Sequence, residues 1–183
     1  VVSRLNDPRA KVVITHSTTD EGIAYEKRIR SYAEHLGVPL IIKPDIIGDK
    51  RGRTPDGKKI YTLWDVYPHA DLVSYPSTYE GFGNAFIEAI YFKKPILVNR
   101  YSIYIMDIEP YGFEVIEMDG YVTDEVVEKI RYVINHKDEY EPVAEKNFAL
   151  AARFFSYEVL RRKLRSILVN FEGIVEAIES QRE

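Results

Sequence analysis

The sequence predicts an α/β fold, a mostly parallel sheet with helices on both faces. Short β-branched runs alternate with longer amphipathic stretches, the pattern of strands joined by crossover helices. A length of 183 residues fits one domain, and a hydrophobic share of 45% is enough for a real core. No internal repeat, low-complexity tract or linker interrupts the alternation.

Each element has a local reason. Val12-Val13-Ile14-Thr15 is a β-branched strand, and Thr18-Thr19-Asp20-Glu21 is a polar cluster of the kind that caps a helix. Ile23, Tyr25, Ile29, Tyr32, Ala33 and Leu36 then recur near helical spacing until Gly37 stops the pattern. Leu40-Ile41-Ile42 reads as a second strand ahead of Pro44. The stretch from Lys50 to Lys59, with two Gly and one Pro, reads as a turn-rich basic loop. A helix from Leu63 to His69 leads into a strand over Asp71–Tyr75, which Pro76 closes. Residues 84–93 are helical by composition, and Pro95–Val98 and Phe113–Ile116 read as strands. Thr123-Asp124-Glu125 opens a helix with acids where its dipole favours them. In the tail, Val159, Leu160, Leu164, Ile167, Leu168, Phe171, Ile174, Val175 and Ile178 make a stripe of helical period.

Composition narrows the function. A net charge of −4 argues against a general nucleic-acid binder, which carries a basic field. No apolar run approaches the roughly 18 residues of a membrane span. With no Cys there is no disulfide framework, thiol nucleophile or Cys-ligated zinc. The four His, at 16, 35, 69 and 136, lack HxH or HxxxH spacing, so no metal site is expected. One Gln and 30% charged residues suit a cytoplasmic protein of a thermophile.

The informative segment runs from Ser74 to Glu88, SYPSTYEGFGNAFIE. A strand ends at Tyr75, a turn with Gly81 and Gly83 follows, and a helix begins near Asn84. In open α/β sheets ligands bind outside the carboxyl ends of the strands. Free N–H groups of Gly83, Asn84 and Ala85 would form an anion site there, with phosphate as the natural guest. Glu80 lies in the turn. Glu88 shares a helix face with Asn84, within the apolar run AFIEAIYF, where a buried carboxylate needs donors. Sugar hydroxyls can supply them, so a nucleotide-sugar fits the pattern. Glu80 as a solvated turn residue, or Glu88 paired with Lys93, Arg100 or backbone, are the plainer readings.

Glu80-Gly81-Phe82-Gly83 followed by Glu88 resembles the E-x7-E motif of retaining glycosyltransferases of family 4, the group 1 glycosyl transferases. The approach Ala70-Asp71-Leu72-Val73…Pro76-Ser77 and the exit Glu88-Ala89…Lys94-Pro95-Ile96-Leu97-Val98 are similar to that family's surroundings. The wording is nearest to sucrose-phosphate-synthase-like and mannosylglucosylglycerate-synthase-like members. The resemblance implies a GT-B enzyme of two Rossmann-like domains, of which this chain is the C-terminal, donor-binding half. It assigns Glu88 to the donor ribose hydroxyls and Glu80, as catalytic residue, to the transferred sugar. Ser77 and the backbone of Gly81, Phe82, Gly83 and Asn84 would face the sugar and diphosphate. It further implies hexose transfer with retention, with no metal or cofactor beyond the nucleotide-diphosphate sugar, to an acceptor held by an N-terminal domain.

Two departures stand out. The family's diphosphate-neutralising Arg…Lys pair follows the first strand of this domain, whereas here Lys11 runs straight into a strand. Residues 1–10 therefore read as the end of the first helix, and the chain as a fragment starting one βα unit late, inactive alone. YSIYIMDIEPYG, Tyr101 to Gly112, replaces the usual Gly-rich loop, which leaves base, sugar and acceptor open.

Other features have less specific readings. Lys50, Arg51, Arg53, Lys58 and Lys59 form a solvated surface loop or reach a nucleotide. His16 is a hydrogen-bonded loop residue or a ligand contact, and His69 a helix end. Tyr91-Phe92 and Phe154-Phe155 read as core. The resemblance sends the tail helix toward the absent domain, and alone its stripe would pair two copies. Three rival functions remain: a non-catalytic nucleotide-binding module, a sugar-nucleotide epimerase and an NADP-dependent oxidoreductase domain. For the last, Gly81-Phe82-Gly83-Asn84-Ala85-Phe86 begins like GxGxxG and Arg100 could meet a 2′-phosphate. Against it, Phe86 sits where close packing wants Gly or Ala, and Glu80 would repel the pyrophosphate.

Overall fold

A computed structural model describes residues 1–15 and 23–180. His16, the Thr18–Glu21 cluster and the side chains of Ile23, Ile174, Val175 and Ile178 lie outside the described set. The chain opens on one helical turn, α1 (Val2–Leu5), which ends at Asn6 in the left-handed region. It continues through β1 (Val12–Ile14), α2 (Ile23–His35) and β2 (Leu40–Ile42). β3 (Gly52–Arg53), β4 (Lys59–Ile60) and α3 (Leu63–Val66) follow. Pro68 then shapes a 3-10 turn at Tyr67–His69 that leads to β5 (Val73–Tyr75). After α4 (Asn84–Tyr91) and β6 (Ile96–Asn99), the chain passes through β7 (Ile116–Met118), α5 (Asp124–Asn135), α6 (Lys137–Phe155) and α7 (Tyr157–Ser180).

β1 and β2 pair in parallel, and β5, β6 and β7 form a second parallel sheet in that order. Val73 faces Ile96, and Leu97 faces Ile116. β6 is buried from end to end, so its apolar run alternates between two cores. Ile96 and Val98 pack with Phe86, Ala89 and Ile90 of α4, Tyr104, Phe113 and Ala151 of α6. Leu97 packs on the other face with Leu5, Ile116, Met118 and the α5 residues Val126, Val127 and Ile130. Fully burying each large side chain of this kind contributes about 1.5–3 kcal/mol. Among the described residues no helix is long and apolar enough to cross a membrane.

Two buried asparagines close gaps in the backbone bonding. Asn99, 5% exposed, donates to the Ser77 carbonyl (3.1 Å) and accepts from Gly120 N–H (2.9 Å). Its side chain thereby ties the ends of all three strands of the larger sheet. Asn147 of α6 brackets Glu114, accepting from its N–H at 2.9 Å and donating to its carbonyl at 2.8 Å. That pair of bonds substitutes for a neighbouring strand just ahead of β7.

The structure corrects several expectations. Within the basic loop, Gly52–Arg53 and Lys59–Ile60 pair antiparallel as a hairpin, and the Thr54 hydroxyl accepts from Lys58 N–H inside its turn. Residues 102–111 are helical rather than loop, with a π-helical turn at Tyr104–Ile108 that buries Tyr104 and Ile108. Tyr91 is half exposed, because α4 turns only Phe86, Ala89 and Ile90 to the core. Tyr32 of α2 and Leu36 just after it are exposed, since α2 accompanies only the two-stranded sheet. The α7 stripe is likewise exposed at Leu160, Leu164, Ile167, Leu168 and Phe171.

The turn between β5 and α4 rests on Tyr101. Its hydroxyl donates to the Phe82 carbonyl at 2.8 Å, and its ring meets Tyr75 edge-on at 5.9 Å. Gly83 has φ +115°, and a Cβ there would lie 2.2 Å from Tyr101 Oη. That oxygen ends a rigid ring that is 2% exposed, so it has little room to yield. Gly83→Ala should therefore cost roughly 1–3 kcal/mol from backbone strain alone. Gly81→Ala, whose Cβ meets nothing within 4 Å, should leave the melting temperature unchanged. Asn99→Ala should cost about 2 kcal/mol, a fall of about 4–8 °C, by stranding the Ser77 and Gly120 backbone groups. Thermal unfolding followed by circular dichroism checks all three.

Candidate functional site

β5, β6 and β7 run parallel, so their carboxyl ends share one edge of the sheet, where α/β folds bind ligands. The turn from Pro76 to Gly83 leaves that edge and delivers the first turn of α4 to it. Gly83 is the N-cap, and no side chain caps the helix. The opening amides of α4 thus present donors, and the positive end of the helix dipole, to a ligand. Ser77, Gly81, Phe82 and Gly83 lie on this turn, and Asn84 is the first residue of α4. Ser77 is held through its carbonyl by Asn99, and Asn84 is exposed.

The two motif carboxylates each stand beside a tyrosine. Glu80 is half-buried next to the Tyr75 phenol, which burial and this carboxylate push well above its ordinary value. Burial and the Glu80 charge also push Tyr101 up to about 12. Both phenols stay protonated at neutral pH and give the turn a neutral, donor-bearing floor. Glu88 is half-buried, less enclosed than its apolar neighbours in sequence suggest, and accepts from the Tyr67 hydroxyl at 2.8 Å. Lys93 instead pairs with Glu145, and Arg100 holds the Glu109 carboxylate through Nη2 at 2.9 and 3.0 Å.

Sequence reasoning missed Tyr67, Tyr75, Tyr101 and Asn99. A polar residue ending an apolar strand was the available signal for Asn99. The tyrosines carry no such mark, since aromatic residues near a strand read as core. The cationic loop is largely engaged with its own surroundings: Arg51 pairs with Asp65, Arg53 donates to the Gly57 carbonyl, and Lys58 pairs with Asp56. His69 ends the 3-10 turn before β5. The oxidoreductase pattern fits poorly. Phe86 is wholly buried against Tyr104 and Phe113, and Arg100 is committed to Glu109. Among the described residues no three His, Asp or Glu converge as a metal centre would require.

Known proteins resemble the chain in both sequence and fold. It is 42% identical over 94 residues to a mannosylglucosylglycerate synthase of Petrotoga mobilis, covering 51% of this chain and 21% of that protein. It is 29% identical over 163 residues to the mannosylglucosylglycerate synthase of Thermotoga maritima, covering 82% and 36%. The chain thus spans between about a fifth and about a third of the length of these relatives. Its fold matches Anabaena HepE in complex with UDP-glucose, with a TM-score of 0.69 and 16% identity over 92% of this chain and 43% of that one. TarM matches with a TM-score of 0.62 and 17% identity over 90% and 30%. These neighbours share the GT-B glycosyltransferase fold. Residues 57–149, half of the chain, match the Glycosyl transferases group 1 model, and the chain belongs to that family.

Proposed function

We propose that this chain is the donor-binding half of a GT-B glycosyltransferase that moves a hexose from a nucleotide-diphosphate sugar to an acceptor hydroxyl. The observation that carries the reading is the uncapped N-terminus of α4 at the sheet's carboxyl edge, with Glu80 and Glu88 on the adjoining turn and helix. The diphosphate lies against the first amides of α4, which stabilise its charge as it leaves. Glu88 grips the ribose hydroxyls, Glu80 meets the sugar, and Ser77 and the Gly81–Asn84 backbone line the space between. The anomeric bond to the diphosphate breaks, a bond to the acceptor oxygen forms on the same face, and the acceptor proton leaves with the diphosphate. No metal or further cofactor takes part. The relatives favour a mannose donor and a glucosylglycerate acceptor.

In this reading the protein works in the cytoplasm of a thermophile. β1 and β5 each pair along one edge only among the described residues. A parallel strand between them would give the order β2-β1-strand-β5-β6-β7, the doubly wound arrangement of dinucleotide-type folds. The exposed α7 stripe docks on the acceptor domain, and pairs two copies when the chain is alone. A monomeric mass by sedimentation at high concentration contradicts that pairing.

Calorimetric titration with UDP, GDP, ADP and their sugars tests the donor site. One nucleotide should bind, and Glu88→Ala should weaken it by roughly 1–3 kcal/mol. Gly81→Ala should also weaken it, because its empty Cβ position is then space the ligand needs. Tight binding of NADP in place of these nucleotides contradicts the reading.

A further inference from the structure

We propose that Tyr67, which lies outside the motif, is a positioning residue for the donor nucleotide: its hydroxyl presets the Glu88 carboxylate that receives the ribose hydroxyls. The inference rests on the donor-site reading of Glu88 given above. Tyr67 donates to Glu88 Oε2 at 2.8 Å, and Oε1 takes no hydrogen bond among the described residues. A carboxylate has about four acceptor positions, so one phenol leaves room for a diol.

The phenol is held from several sides. Its ring stacks on Phe92 with centroids 4.9 Å apart and planes 8° from parallel, and Trp64 meets Phe92 edge-on at 5.3 Å. The next residue, Pro68, accepts from Lys94 Nζ through its carbonyl at 2.7 Å, which fastens the 3-10 turn to the far end of α4. Glu88 itself is a flexible side chain on a half-open helix face, and left alone it would sample several rotamers. The bond from a fixed phenol removes that freedom before ligand arrives, so binding loses less entropy. Burial, and the Glu88 charge after it, raise the phenol's pKa, so it remains a donor throughout the physiological range.

The test uses the nucleoside diphosphate that binds tightest among UDP, GDP and ADP, together with its 2′,3′-dideoxy form, titrated into the wild type, Tyr67→Phe and Glu88→Ala. Tyr67→Phe keeps the ring and its stacking, and its melting curve reports folding. The expected result is a loss of roughly 2- to 10-fold for the ribonucleotide, scaled to one immobilised side chain, and no change for the dideoxy form. If Glu88→Ala weakens the ribonucleotide while Tyr67→Phe affects neither ligand, or both equally, the positioning role is overturned and the donor site stands. If Glu88→Ala changes nothing, the donor-site reading falls, and this inference with it.

Discussion

Three strand ends meet at one side chain. Asn99 closes β6, reaches back to Ser77 beyond β5 and forward to Gly120 beyond β7. Its side chain is nearly buried and both bonds are partly so, and losing it strands the Ser77 carbonyl and the Gly120 N–H. The turn after β5 departs from this tie. Tyr101, two residues further on, supports the same turn from beneath through the Phe82 carbonyl. The placement of α4's first amides, and with them the whole candidate site, follows from these two side chains at the end of one strand.

The site combines a donor-rich backbone with two carboxylates, and the aromatic floor reconciles them. A negative ligand approaching two Glu side chains would be repelled if nothing intervened. The helix terminus supplies positive potential at the carboxyl edge of the sheet. The protonated phenols of Tyr67 and Tyr75 spread the carboxylate charge without adding a cation. Arg100, the nearest strand-end cation, is held by Glu109, with Glu117 3.8 Å from its Nε. It therefore braces the helical segment between β6 and β7.

How much of this was legible depends on the range of the interaction. The run Pro95-Ile96-Leu97-Val98 announces a strand covered on both faces, and the structure buries β6 on both. The segment from Ser74 to Glu88 announces a strand, a turn and a helix, and the chain is built that way. The Tyr67–Glu88 bond spans 21 residues and was invisible, because only the fold brings those side chains together. The two glycines looked equivalent, yet only Gly83 requires a positive φ and a close approach. Residues 102–111 hid their helices because π-helical and 3-10 turns do not follow the 3.6-residue period. The hairpin at Gly52–Ile60 hid for a different reason: Thr54-Pro55-Asp56-Gly57 marks a turn but says little about two-residue strands.

The proposed nucleotide-sugar site lies at the first turn of α4 and the flanking Glu88. Backbone amide resonances of the ¹⁵N-labelled chain, followed during titration with UDP-glucose and GDP-mannose, measure this residue by residue. The largest shifts are expected at Gly83, Asn84, Ala85 and Glu88. Shifts confined to the apolar cleft between β7, α5 and α6, around Val133 and Val143, with none in the turn, would contradict it.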